Sequence, residues 1–271
     1  MLSHLLVAAL LLLLPLAGPA QEAGGGEEKP PPIPPLGAYP ALPDPDHDEH
    51  RFSSFYLPMP DGVQLAVDLV LPGATELDER IPALVEITRR WRGLREKEFP
   101  ADRLLFVHRG YAFLRVDARG TGASSGTRAG PGGERVRADC AELLRWLAEQ
   151  EWFSGRAGAL GFYDDAWEAE CLARAGPETV RALALVYGEH DLYTDLLFPG
   201  GVRATGGVKA WSALTAALDR GRWPFPSDGS PHGVRPVDED VDLGRLAEAL
   251  AAHGGNRTLF ELGRGRAFRD D

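Results

Sequence analysis

The 271-residue chain is poor in cysteine, methionine and lysine, with two Cys, two Met and only three Lys (Lys29, Lys97 and Lys209). Two cysteines permit at most one disulfide, which excludes a small scaffold stapled by many bridges. Basic charge is short as well: 29 Lys and Arg stand against 40 Asp and Glu, a net charge of −11. A broad basic surface for nucleic acid or anionic lipid is therefore not expected. Apart from the three lysines every basic residue is Arg, which beside abundant Ala and Gly points to GC-rich coding and not to phosphate binding. The apolar run at residues 5–14 has ten members, too few for a bilayer span of about 20. What is present is an ordinary globular composition, 44% apolar and 25% charged. It excludes disorder throughout and leaves room for one large domain or two small ones.

The apolar run is followed by Pro15 and the small-residue stretch 16–20, the pattern of a secretory signal peptide. Gly18 and Ala20 are small enough for the −3 and −1 positions, so cleavage is expected after Ala20. No Lys or Arg precedes the run, and no Cys follows the cut to accept a lipid. The expectation is an exported protein, periplasmic or extracellular, with no membrane attachment after cleavage. Residues 21–46 are rich in Pro and Gly and read as a polyproline-like tether. Asp44, Asp46, His47, Asp48, Glu49 and His50 cluster at its end. They are metal ligands by type, but a flexible segment lacks the surroundings that hold ligands in place, and no metal or cofactor is expected.

From residue 47 onward, short apolar runs alternate with amphipathic stretches. Residues 51–58 and 63–71 flank Asp61-Gly62, a hairpin signal. Four further strands are expected at 82–88, 111–118, 157–162 and 180–187, mostly apolar on both faces as buried parallel strands are. Helices are expected at 100–108, 134–151 and 164–175, giving an α/β sheet covered on both sides over residues 47–190. Beyond Glu189 only helices are expected, near 192–197, 209–218 and 241–253, a cap segment over 191–271. Gly120, Gly122 and Gly126 follow a strand but lack dinucleotide-binding spacing, and a tight turn accounts for them.

Several separated stretches carry a resemblance: Pro60-Asp61-Gly62-Val63-Gln64-Leu65-Ala66-Val67-Asp68, Arg109-Gly110-Tyr111-Ala112, and Val116-Asp117-Ala118-Arg119-Gly120-Thr121-Gly122-Ala123-Ser124-Ser125-Gly126. Trp152-Phe153-Ser154-Gly155-Arg156, Asp191-Leu192-Tyr193 and Phe198-Pro199-Gly200-Gly201 follow in the same order. Together they resemble the α/β-hydrolases of the cocaine esterase and X-Pro dipeptidyl-peptidase type, over essentially everything after His47. The resemblance implies a serine hydrolase acting on ester or X-Pro peptide bonds, with a small ester or peptide as ligand. It also implies the strand order 1-2-4-3-5-6-7-8, of which this sequence supplies the first six strands.

The resemblance also implies a nucleophile elbow, G-x-S-x-G, at the end of the fifth strand. Here Gly158-Ala159-Leu160 runs into Gly161-Phe162-Tyr163-Asp164-Asp165-Ala166, and Tyr163 stands at the serine position. A tyrosine hydroxyl sits at the far end of a ring and has a reference pKa near 10, so the short activated nucleophile of acyl transfer is lost. Asp164 holds the position whose backbone N–H would line the oxyanion hole, and is the candidate substitute nucleophile. The plainer expectation for Asp164 and Asp165 is helix capping. The second small position of the elbow falls on Asp165 or Ala166. Arg90 stands where the resemblance places an oxyanion-binding tyrosine; a solvated surface arginine is expected there.

The triad acid and histidine implied by the resemblance lie on strands beyond the sixth, so no competent triad is expected in this sequence. Among its histidines, His4 belongs to the leader, His47 and His50 adjoin the tether, His108 ends a helix, and His190 follows the sixth strand. His232 and His253 are expected at the surface of the cap. The apolar strand 180–187 is left as a sheet edge, which favours self-association. Cys140 and Cys171 fall on helices that neighbour each other in this fold, and remain either a disulfide pair or two buried thiols. Asn256-Arg257-Thr258 has the spacing of a glycosylation sequon. The expected protein is an exported, catalytically degenerate hydrolase relative, the alternatives being unorthodox hydrolysis or a non-enzymatic interaction module.

Overall fold

Asp61 and Gly62 reverse the chain between two strands, and the sheet is built outward from that hairpin. The computed structural model describes residues 43–73, 79–93, 99–224 and 233–264; the expected leader, most of the tether and His232 lie outside them. β1 (His50–Pro58) pairs antiparallel with β2 (Gln64–Pro72), Ser54 opposite Asp68. β3 (Ile81–Thr88), β4 (Ala112–Asp117), β5 (Phe153–Phe162) and β6 (Val180–Val186) complete one sheet in the order β1-β2-β4-β3-β5-β6. β2 meets β4 antiparallel, and every later pairing is parallel. α1 (Ala101–Val107), α2 (Glu134–Ala148) and α3 (Ala166–Ala175) connect the parallel strands, and α4 (Thr205–Asp219), α5 (Gly244–Ala252) and α6 (Leu259–Leu262) follow the sheet.

Alternation along the strands loads both faces. Ala83, Val85 and Ile87 of β3 join Leu114 and Val116 of β4 against Cys140, Leu143 and Leu147 of α2 and Leu172 of α3. On the opposite face Val70, Leu84, Phe113 and Leu160 pack on Phe106 and Val107 of α1. Fully burying a side chain such as Leu84 or Phe113 contributes about 2 kcal/mol. Several element ends depart from expectation. β5 begins at Phe153, four residues early. Residues 192–197 form a wide π-type turn capped by the Asp191 carboxylate, which accepts from the Tyr193 and Thr194 amides. α5 begins at Gly244, not at 241, because Leu243 is left-handed (φ 61°) and the Asp240 carboxylate accepts from the Arg245 and Leu246 amides.

The glycine-rich stretch after β4 does not lead directly into a helix. It folds back along β2, where Ser124 Oγ and Ser125 Oγ accept from the Ala66 and Gln64 amides at 2.8 and 2.9 Å. Gly122 has φ 56°, and a Cβ there would fall 2.2 Å from the Asp117 carboxylate. Asn256 accepts from Arg128 N at 2.6 Å and donates to Gly120 O at 2.8 Å, so its side chain fastens this loop to the cap. His253, expected at the surface, is instead 2% exposed, with Nε2 2.8 Å from Ser124 O and Nδ1 3.3 Å from Asp219 O. The sequence pattern did not anticipate it because both partners are backbone carbonyls. No helix among the described residues is long and apolar enough to cross a membrane.

Arg92, just beyond β3, is fully buried. Its Nε lies 2.9 Å from Asp68 Oδ1 and its NH1 3.4 Å from Asp117 Oδ2, while its NH2 donates to Ser54 Oγ at 2.9 Å. It also donates to the carbonyls of Arg235 and Pro236, at 2.6 and 2.8 Å, and so ties three strands to the cap segment. Removing one partner of a buried charge pair leaves the other unmatched, at a cost of about 3–5 kcal/mol. Arg92→Met is therefore expected to lower stability to urea by about that amount. An unfolding midpoint unchanged from wild type contradicts this role.

Candidate active site

Parallel α/β sheets form their sites beyond the carboxyl ends of the strands. At those ends the backbone is strained. Of the four non-glycine residues with positive φ among the described residues, Trp91 (70°), Tyr163 (50°) and Tyr187 (56°) follow β3, β5 and β6. Such conformations cost about 1–3 kcal/mol each and persist only where the surroundings impose them.

The constraint at β5 is a close crossing. A Cβ on Gly161 would lie 2.6 Å from Ala166 Cα, so the end of β5 and the first turn of α3 almost touch. This places the second small position of the elbow at Ala166. Tyr163 and the next two residues form a single 3-10 turn between them. Tyr163 is 45% exposed, its ring stacked on Tyr187 at 5.5 Å and 19°, with the Arg90 guanidinium 5.3 Å from its centre.

Asp165 occupies the N-cap position of α3, but neither its side chain nor that of Asp164 makes a cap hydrogen bond. Asp165 is fully buried and reaches across to the loop after β3. It accepts from Thr88 Oγ1 at 2.8 Å, from the Arg89 amide at 2.9 Å and from Arg90 NH2 at 2.6 Å. Arg90 is thus not the solvated arginine expected from the sequence. Its side chain is 18% exposed, and it also donates to Phe162 O at 2.9 Å. Its guanidinium also lies over the Tyr163 ring. Arg89 lies between Asp164 Oδ2, at 3.8 Å, and Asp219 Oδ1 of α4, at 3.1 Å. Beneath the elbow Arg128 and Glu168 form a buried ion pair.

Three guanidiniums therefore face four carboxyls in this cluster. Asp164 carries the excess: burial first, and the adjacent Asp165 second, push its pKa up to about 7. Its Oδ1 is buried without a hydrogen-bond partner. A carboxyl that holds its proton to neutrality is a poor nucleophile. Among the described residues no hydrogen bond joins a histidine to Tyr163, Asp164 or Asp165; His190 faces Glu170 at 3.6 Å, and His253 is enclosed by carbonyls. Cys140 and Cys171 are both buried free thiols, and burial pushes both upward in pKa. The Arg90–Asp165 and Arg89–Asp219 contacts were not foreseen. The available signal was that Arg89-Arg90 ends one strand and Asp164-Asp165 begins the turn after its neighbour.

The six-stranded sheet with a sharp turn from β5 into α3 defines an α/β-hydrolase fold. The X-Pro dipeptidyl-peptidase (S15) family matches residues 61–242. A Mycobacterium tuberculosis (strain CDC 1551 / Oshkosh) protein named as a serine esterase is 35% identical over 246 residues, covering 82% of this chain and 38% of that protein. The cocaine esterase of Rhodococcus sp. (strain MB1 Bresler) is 32% identical over 216 residues, covering 78% and 35% of the two chains. A crystal structure of a CocE/NonD family hydrolase from Staphylococcus aureus superposes with a TM-score of 0.56 at 18% identity, over 81% of this chain and 36% of that one. The chain belongs to the X-Pro dipeptidyl-peptidase (S15) family of α/β-hydrolases. It spans less than two-fifths of the length of the curated relatives that it matches.

The position of Asp164 sets a dependence of stability on pH. Folded chains keep its proton to about pH 7, whereas an unfolded aspartate releases it near 3.9. Between these values the folded state binds more protons, so this residue's contribution to stability falls as pH rises from about 4 to 7. Asp164→Asn is expected to remove that fall. Urea midpoints measured from pH 4.5 to 8 check it: the variant should gain on wild type as pH rises, and parallel curves would sink the assignment.

Proposed function

We propose that the chain is an exported, catalytically degenerate member of its family, with the elbow retained as architecture and its acyl-transfer chemistry lost. The observation that carries this is Tyr163 at the turn after β5, in left-handed backbone and stacked between Arg90 and Tyr187. A serine hydrolase needs a short hydroxyl, a histidine in hydrogen-bond contact with it and free donors for the oxyanion. At this elbow the hydroxyl is displaced by a ring, no described histidine bonds to it, and the adjacent arginine is occupied by Asp165. Losing one triad member alone costs on the order of 10⁴-fold or more in kcat. Export is supported by the leader-like residues 1–20 and the Pro-rich stretch after them. The retained role is binding a small ester or peptide at the strand ends, the ester supported by the names of the relatives and the peptide by the description of the family.

A second role, docking through β6, is favoured by one observation. Among the described residues β6 pairs with β5 alone, and Leu185 within it and Tyr187 just beyond it are exposed, 37% and 66%. Such an edge invites pairing with another strand, a second copy of the chain included.

Both are tested on the same purified chain. With 4-nitrophenyl acetate, wild type and Tyr163→Ser should release nitrophenol no faster than heat-denatured protein. Turnover by wild type that Tyr163→Phe or Asp164→Asn abolishes would overturn the degenerate assignment. Sedimentation velocity should show association that grows with concentration, and a monomer at every concentration would remove the docking role.

A further inference from the structure

The stretch entering β1 is not loose where it meets the domain. The amides of Asp46 and His47 donate to His108 O at 2.8 and 3.0 Å, and Arg109 Nε donates to Pro43 O at 2.7 Å. His108 caps the end of α1, and His50 is the first residue of β1, paired opposite Pro72. Both histidines thus sit on fixed backbone, which removes the ground on which the sequence argued against a metal here.

Their side chains meet nitrogen to nitrogen. His50 Nδ1 and His108 Nε2 are 3.4 Å apart, with ring centres at 5.6 Å. Without an ion, this is a long hydrogen bond between two ring nitrogens, one protonated and one accepting. The distance equals the separation of two imidazole nitrogens held at about 2.0–2.1 Å from one tetrahedral Zn²⁺, roughly 3.3–3.4 Å. Among the described residues no group of three or more His, Cys, Asp and Glu side chains is placed around a common point. An ion held here would have these two protein ligands, with solvent completing its coordination. His50 is exposed and His108 half-buried, so an ion has direct access. The exposed carboxylates of Asp46, Asp48 and Glu49 lie on the adjoining segment and favour a cation.

We propose that His50 Nδ1 and His108 Nε2 are the protein ligands of one Zn²⁺-type divalent transition-metal ion. The ion joins the start of β1 to the end of α1. It takes no part in the chemistry of the elbow.

Calorimetric titration of ZnCl₂ into the tag-free, chelator-treated full chain tests the site. One Zn²⁺ per chain is expected, with affinity at least about tenfold weaker in His50→Gln and in His108→Gln. Zinc should raise the Tm of wild type and leave both variants unmoved, while His190→Gln behaves as wild type. The proposal is overturned if wild type shows no saturable zinc binding, if either variant keeps wild-type affinity, or if His190→Gln is the one that loses it.

Discussion

The approach of β5 to α3 at Gly161 and Ala166, too close for a Cβ on the glycine, decides what the carboxyl end of the sheet presents. A chain that must reverse in one 3-10 turn between them has a single left-handed position available, and Tyr163 takes it. The residue there projects outward, and the two that follow are turned under the elbow. In a hydrolase this geometry exposes a nucleophile. Here it exposes a ring and buries two carboxyl groups, and the network at the site follows from where Asp165 finds its partners.

Asp165 finds them on the neighbouring strand. Because β3 is sandwiched between β4 and β5, the Thr88-Arg89-Arg90 segment ends beside the elbow, and its hydroxyl, amide and guanidinium saturate the Asp165 carboxylate. Arg89 carries the network on to Asp219 of α4, which brings the cap down over the strand ends. Arg92, two residues beyond Arg90, does the same on the hairpin side through Asp68, Asp117 and the carbonyls of Arg235 and Pro236. The segment after β3 is thus an electrostatic hinge pin between sheet and cap. Its charges are committed to structure, and structure of this kind is poorly suited to stabilising charge that appears only in a transition state.

Much of this was legible in the amino-acid order. Asp61-Gly62 marked the hairpin, the β-branched and apolar runs marked β3 to β6, and the resemblance ordered them, because short apolar runs and turn residues are local signals. The elbow position of Tyr163 was legible for the same reason: Gly161 and the residues around it fix the register of strand and helix. What failed were residues whose roles depend on distant partners. Arg90 read as a surface arginine and Asp165 as a cap, since each is ordinary alone and their pairing spans 75 positions. His253 read as exposed because it is buried against carbonyls of Ser124 and Asp219, which carry no side-chain signature.

The central claim is that the elbow keeps its shape and has lost its nucleophile. It is tested most directly by exposing the folded chain to a fluorophosphonate, which captures an activated nucleophile covalently, and reading the intact mass. The account predicts unmodified protein after an exposure that fully labels a serine esterase run in parallel. A stoichiometric adduct that peptide mapping assigns to Tyr163 or Asp164, and that disappears on unfolding, would contradict it.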